Sequence, residues 1–424
     1  MRFPLFLCAA LGCATALPAF AGSEHLELNT ALWGAGTYRD VLDNDFNPQN
    51  AFARIPRDTE TFEVRPDWNL KSTKWHITAR PRLLAKHETT NALGITTNKN
   101  LALLRWSEAF ATWNATEAFS IDYGLQNFQW GPAESVSPSN RIFRDTIQVK
   151  DSLYLVKGQH LIRLSYTPSS TFSEILMFEP TGNGDAEPEP NEPHSLKGAL
   201  KTELSWAGGA DFAGLVNSWR DREGFSVGEY LNLELFSGFY AYADAEQQAG
   251  TLAYYPVSNN GLVTYSQTMR GDPKLKNFIV GGLRYAFENG NDWRIEGIYQ
   301  ANGYTTTDLT NARSAISSKN PVQLAVLSIQ SNAAALSGLD FPSQAYLFSS
   351  IRFPNVFGWR DWNIYLRGLE SLQDHSVSGF VSSENSVGVH GTFIGAVTGT
   401  AGTDGAELKG VVDLAATLAY RHAW

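Results

Sequence analysis

The sequence predicts an all-β chain folded as a transmembrane antiparallel β-barrel of about 16 strands, within a range of about 14 to 18, with long extracellular loops. Three observations predict it. Segments of period-two alternation, apolar on one side and polar or charged on the other, recur along most of the 424 residues; such alternation marks strands whose two faces meet different surroundings. Past the N-terminal region there is no apolar run near twenty residues, which excludes a helical membrane protein. Phe, Trp and Tyr make up 12% of the chain and gather near strand ends, as aromatic girdles do at the two membrane interfaces.

The N-terminus places Arg2 before an apolar run of about ten residues and then Ala19-Phe20-Ala21, the layout of a secretory signal peptide over residues 1–21 with cleavage before Gly22. Residues 22–424 then read as a single barrel domain. Both cysteines, Cys8 and Cys13, lie inside the leader, so the exported chain is expected to have neither a disulfide nor thiol chemistry. The ALGC run ending at Cys13 loosely matches a lipoprotein cleavage box, but the apolar stretch before it is very short.

Along the chain, residues 59–71 put Phe62, Val64, Pro66, Trp68 and Leu70 on one side and Glu63, Arg65, Asp67, Asn69 and Lys71 on the other. Residues 74–86 repeat the pattern, with His76, Thr78, Arg80 and Arg82 on the polar side. Together they read as a hairpin with an apolar outside and a charged inside. Pro66 and Pro81 each remove a ladder donor, which places them near strand ends or bulges. Residues 100–114 break the alternation and leave the facing of Arg105 and Glu108 open. A further hairpin runs through residues 277–300 around Asn289-Gly290, with Arg284, Arg294 and Glu296 inward, and another around Pro354 to Gly358. The acidic, Pro-rich run 181–194 reads as an exposed loop. The Leu, Val and Ile spacing from Pro321 to Leu336 suggests a helix in a long loop that enters the lumen or covers its mouth.

At the C-terminus, Val412, Leu414, Ala416, Leu418, Tyr420, His422 and Trp424 share one face, and Val411, Asp413, Ala415, Thr417, Ala419 and Arg421 the other. Ending on an aromatic residue resembles the closing strand of bacterial outer-membrane barrels. That likeness implies a place in the outer membrane of a Gram-negative bacterium, although His422 departs from the usual apolar face.

Residues 119–126 alternate, with Asp122 on the lumen side, and then meet Trp130-Gly131-Pro132. Glycine and proline specify the geometry of that turn and Trp130 can anchor it. Glu134, Ser135, Ser137, Ser139, Asn140 and Arg141 follow: a polar, pinned loop suited to a constriction. The run YGLQNFQWGPAESVSPSN resembles a strand-to-loop element of outer-membrane porin-like families, including alginate-export-type channels. The resemblance covers about twenty residues, and it implies a diffusion channel without naming the solute.

The pore-lining and constriction residues expected are Glu63, Arg65, Asp67, Arg80, Arg82, Asp122, Trp130, Glu134, Asn140 and Arg141. Cations facing acids across a lumen set a field that orders dipolar or anionic solutes. The function expected is passive diffusion of small polar or anionic solutes; the alternative is an export or assembly component for a polysaccharide or other secreted product. No cofactor and no metal are called for: the histidines show no ligand spacing. Enzymatic activity is not expected either, since no nucleophile elbow appears and around His375 the serines fall on the opposite strand face. Without residues 1–21 the chain keeps 32 basic against 43 acidic side chains, a net charge of −11, which argues against nucleic acid. The partners expected are outer-membrane lipid and lipopolysaccharide, small polar solutes, and either a second copy of the chain or periplasmic proteins.

Overall fold

The computed structural model describes residues 25–44, 47–51, 53–143, 158–179, 197–220, 224–249, 251, 253–267, 275–318, 320–323, 326, 339, 341–359 and 361–424. The expected signal peptide, the expected 181–194 loop and most of the Pro321–Leu336 segment lie outside these residues.

Twenty strands follow one another: β1 (His25–Val41), β2 (Asp58–Lys71), β3 (Trp75–Ala92), β4 (Ile95–Asn114), β5 (Phe119–Gln126), β6 (Gln159–Ser169), β7 (Phe172–Phe178), β8 (Lys197–Trp206), β9 (Asp211–Arg220), β10 (Gly224–Phe236), β11 (Phe239–Ala249), β12 (Tyr254–Asn259), β13 (Leu262–Gln267), β14 (Leu275–Ala286), β15 (Asp292–Gln300), β16 (Ala345–Phe353), β17 (Trp362–Ser371), β18 (Val377–Val387), β19 (Gly391–Ala401) and β20 (Val412–Ala423). Eighteen form one antiparallel sheet, while β12 and β13 make a separate hairpin. The sheet closes because β1 pairs with both β2 and β20. Reciprocal backbone bonds of 3.1 Å between Thr30 and Trp424 extend the seam to the last residue.

The barrel therefore has 18 strands rather than about 16. Three strands give weak signals in the sequence. β7 is only seven residues long, and β18 and β19 are rich in Ser, Gly and Thr, so neither face of those two strands reads as strongly apolar.

Alternation decides the facing as expected. On β2, Glu63 and Asn69 are buried while Phe62 and Trp68 are exposed; Leu104, Tyr123, Leu283 and Leu418 continue the apolar outer surface. So large an apolar surface cannot face water. Among the described residues no helix is long and apolar enough to cross a membrane, and the strands supply the crossing. Alternate connections are short turns, such as 72–74 and 237–238, and most of those at the other end are longer, 93–94 and 221–223 excepted. In barrels of this kind the turn end is periplasmic and the loop end extracellular.

Both awkward prolines sit where the ladder is interrupted. Pro66 lies where the β2–β3 pairing lapses, between Val64↔Leu83 and Trp68↔Ala79. Pro81 lies at a register shift between β3 and β4. There Pro81 opposes Trp106 while Arg80 opposes Glu108, so Ser107 is the extra residue of a bulge. A bulge shifts the phase of a strand by one residue. Arg105 and Glu108 consequently both face inward, opposite Arg82 and Arg80, which explains why their facing could not be read from alternation.

A helix, α1 (Thr306–Ile316), stands in the loop between β15 and β16, and the described residues of the segment expected to be helical, 321–323 and 326, are helical as well. Thr305 and Asp308 form a reciprocal capping box at its start, a T-x-x-D signature that the reading of apolar spacing passed over.

Candidate functional site

The chain leaves β5 and runs inward through residues 127–143 before returning to β6. Its apolar side chains divide between two interior clusters. Trp130, Ile142 and Phe143 pack on Leu161, Ile175, Met177, Val216 and Tyr230, which project from β6, β7, β9 and β10. Ala133 and Val136 pack on Tyr242, Phe278, Val280, Ile298, Tyr346, Phe348 and Leu369, from β11 and β14 to β17. Across these strands both faces are apolar, one toward lipid and the other toward the loop.

Polar contacts fasten the same loop at intervals. The Glu296 carboxylate accepts from the backbone N–H of Glu134 at 2.6 Å and of Ser135 at 2.9 Å, and from the Tyr242 hydroxyl at 2.7 Å. Asp244 accepts from the Ser137 hydroxyl at 2.6 Å and from the Ser139 N–H at 2.8 Å. Arg141, 3% exposed, lies 3.3 Å from Glu246. Glu134 lies 3.3 Å from Arg294 and 3.4 Å from Arg367, and accepts from the Ser350 hydroxyl at 2.8 Å.

Two glycines make room for this. At Gly131, with φ +91°, a Cβ would sit 2.2 Å from an Asp244 carboxylate oxygen and 2.3 Å from the Ser137 hydroxyl. At Gly228 on β10 it would sit 2.8 Å from the Cα of Ser139. Wall and loop approach too closely there for any side chain.

The opposite wall, β18 to β20 and β1 to β4, receives none of the loop's apolar side chains among the described residues, its inward apolar cluster being Trp33, Ile394 and Ala419. Its inward side chains include Ser382, Thr392, Thr417, Thr37, Asn69 and Thr78, and a row of arginines. Glu63 accepts from Arg65 at 2.7 Å and from Arg82 at 2.5 Å. The Arg65 guanidinium lies 4.5 Å over the Trp33 ring, and Arg421 is close enough to repel it. Two guanidinium groups thus share one carboxylate, with Arg421 beside Arg65. Arg80 is paired with Asp67 at 3.0 Å and with Glu108. Farther round, Arg163 is 3.0 Å from Asp122, which is 2% exposed, and 4.7 Å over Phe128.

The ten residues named from sequence therefore occupy three settings. Glu63, Arg65, Asp67, Arg80 and Arg82 form two ion clusters on the β2–β3 wall, Glu63 with Arg65 and Arg82, and Arg80 with Asp67 and Glu108. Asp122 belongs to a neighbouring pair on β5 and β6. Trp130, Glu134, Asn140 and Arg141 lie in the loop, where Trp130, Asn140 and Arg141 are buried against the wall and Asn140 caps the Phe143 N–H at 2.9 Å. The reading did not reach Asp244 and Glu246, although β11 reads YAYADAE, with an unbroken alternation that puts both acids on one face. Arg163, Arg367 and Arg421 were also missed; single inward cations on otherwise ordinary strands give no local signal.

Around His375, Ser376 donates to Asp374 at 2.6 Å. The imidazole instead faces outward, its side chain 78% exposed and 3.7 Å from Glu370, so no Ser-His-acid relay forms there.

At the loop end, α1 is tied down by Arg313, which is ion-paired with Asp374 and donates to the Gly405 carbonyl at 2.9 Å. Glu407 accepts from the hydroxyls of Ser343 and Tyr346, and its own N–H donates to Asp374 at 2.8 Å. Three loops are thereby joined. Burial, reinforced by the nearby Asp374 charge, lifts the Glu407 carboxyl above its ordinary range against the donors that face it. Burial works in the same direction on Asp374, but the Glu407 N–H and the Ser376 donors outweigh it and hold Asp374 low.

The closed 18-stranded antiparallel barrel, its apolar belt and its inward loop give the chain the fold of a porin-like transmembrane β-barrel. The chain resembles a BenF-like porin from Pseudomonas fluorescens Pf-5, at 8% identity, TM-score 0.53 and coverage of 95% of this chain and 98% of that one. It also resembles Acinetobacter baumannii OccAB1, at 9% identity, TM-score 0.55 and coverage of 94% and 96%, and Pseudomonas aeruginosa OccK2 in complex with glucuronate, at 10%, 0.51, 94% and 97%. At such identities the likeness is one of fold, and it is to porins rather than to alginate-export channels in particular. No family model matches the chain, and no curated protein matches it.

Proposed function

We propose that the chain is an outer-membrane channel for passive diffusion of small polar solutes, with a preference for anions. The path runs between the inward loop and the wall formed by β18 to β20 and β1 to β4. One observation carries this reading: residues 127–143 bury their apolar side chains against β6 to β17, while the other wall keeps polar and cationic groups facing inward. Fixed cations beside a narrow path raise the local concentration of anions. Glu63, Arg65, Arg82 and Arg421 border the path; Asp67 and Arg80 extend the row; Glu134 faces it from the loop side. Trp130, Asn140 and Arg141 hold the loop in place.

The test is conductance of the purified protein in a planar bilayer, with residues 131–140 present and deleted. Larger steps after deletion support a loop that narrows an open pore. Reversal potentials in a salt gradient then read the preference: an anionic value that moves toward cations in Arg65→Gln/Arg82→Gln supports the arginine wall, and cation preference in the unaltered protein refutes it. Silence with and without the loop refutes the channel.

A further inference from the structure

The outer face of β9, β10, β11 and β14 carries polar side chains where an apolar belt is expected. Glu229 points outward between Leu215 and Ala245, its neighbours across the two ladders. One row nearer the loop end, Asn217, Val227, Gln247 and Asn277 stand side by side across four strands. All four polar side chains are exposed, and none has a hydrogen bond or ion pair among the described residues. They do not belong to the rim. Phe225, 74% exposed, and Leu275, 63% exposed, lie still nearer the loop end on the same face, and Leu231 and Leu283 lie on the turn side. An outward charge at such depth is costly against lipid.

The surface beside them is flat. Ala243, Gly281 and Gly297 stand in one row across β11, β14 and β15, and a Cβ at either glycine would meet nothing within 4 Å. The barrel itself does not require glycine there. Small residues facing a membrane permit close approach of another protein surface.

We infer that this face is the contact between two copies of the chain. The set is self-complementary: one carboxylate that only accepts, among three amides that both donate and accept. Two barrels in one membrane share their orientation, so a two-fold axis along the membrane normal keeps every residue at its own depth. The polar band of one copy then meets the same band of the other, and Glu229 receives donors from the amides opposite it, as an isologous contact requires. With strands ~4.8 Å apart and a rise of ~3.3 Å per residue, the face from β8 to β15 offers on the order of 600 Å² per copy. That approaches the roughly 800 Å² per partner of a standard interface. The inference rests on the barrel lying in a membrane; it does not depend on conductance, so either reading can fail without the other.

The test is cross-linking in isolated outer membranes. Cys8 and Cys13 are replaced by serine, a single cysteine is placed by Ala243→Cys, and a short bis-maleimide is added. A dimer band is expected, at least several-fold stronger than from a control cysteine at Leu104→Cys on the β4 face, and Glu229→Leu combined with Gln247→Leu should weaken it several-fold. The inference is overturned if Ala243→Cys cross-links no better than the control. It is equally overturned if Glu229→Leu raises the melting temperature of a protein that light scattering in detergent shows to be monomeric, since that result means the face meets lipid.

Discussion

Glu296 on β15 holds the backbone of Ser135 at 2.9 Å, across 161 residues of sequence, and the same carboxylate takes the Glu134 N–H at 2.6 Å. A side chain of the barrel wall thus performs for the inward loop what a ladder neighbour performs for a strand, because buried backbone N–H groups need an acceptor. Glu296 is itself fully buried.

Replacing this acceptor should loosen the loop more than the barrel. Glu296→Gln keeps the volume but turns an amide donor toward donors, at a cost of about 2–3 kcal/mol for charge-assisted bonds. The expected outcome is noisier current with larger steps in the bilayer, while the unheated barrel keeps its compact mobility on a denaturing gel. Steps of unchanged size and noise would mean that the loop is held without Glu296.

Gly131 gives a sharper version of the same test. Gly131→Ala brings a methyl within 2.2 Å of the Asp244 carboxylate at a φ of +91°, a region L-residues rarely adopt. The loop is expected to detach locally, and the conductance to approach that of the 131–140 deletion. A conductance equal to that of the unaltered protein would show that the loop absorbs the methyl.

On the opposite wall, Glu63 and its arginines should act with opposite signs. Glu63→Gln removes the carboxylate between Arg65 and Arg82, which should shift the reversal potential further toward anions. It should also destabilise the barrel by about 3 kcal/mol, since two largely buried cations lose their counter-charge. Arg82→Gln should shift the potential the other way. Urea titration of refolded protein in vesicles, beside the reversal potential, reads both quantities.

The loop-end clamp should have a pH optimum on the acid side of neutral. Glu407 is held above its ordinary value of 4.5, so the folded clamp binds its proton first and gains stability as pH falls through that raised value, levelling off near the unfolded one. Asp374 is held below its ordinary 3.8; its contribution is complete above that value and is lost as pH falls through the depressed one. Amide protection factors at Ser343 and Glu407, each exchange rate taken relative to the intrinsic rate at the same pH, should therefore be higher at about pH 5 than at about pH 7.5. Glu407→Gln should abolish the difference, and a difference that survives would assign it to another group.

The sequence by itself determined which way most side chains face. Period-two patterning put Glu63, Arg65, Arg80 and Arg82 inside and Phe62, Trp68 and Tyr123 outside, marked β20 as a closing strand, and located the departure of the inward loop after β5. It failed at Arg105 and Glu108, where one bulged residue shifts the phase, and in the Ser- and Gly-rich β18 and β19, where the contrast between faces is weak. Only the tertiary structure decided where around the ring each element stands. Alternation encodes inside against outside but carries no angular coordinate. The 18-strand count, the choice of β6 to β17 as the wall that receives the loop, and the pairing of Ser137 with Asp244 all depend on contacts between residues far apart in the chain. What selects them is the burial of Trp130, Val136, Ile142 and Phe143 against the inward apolar side chains of the wall, and no single segment contains both halves of that contact.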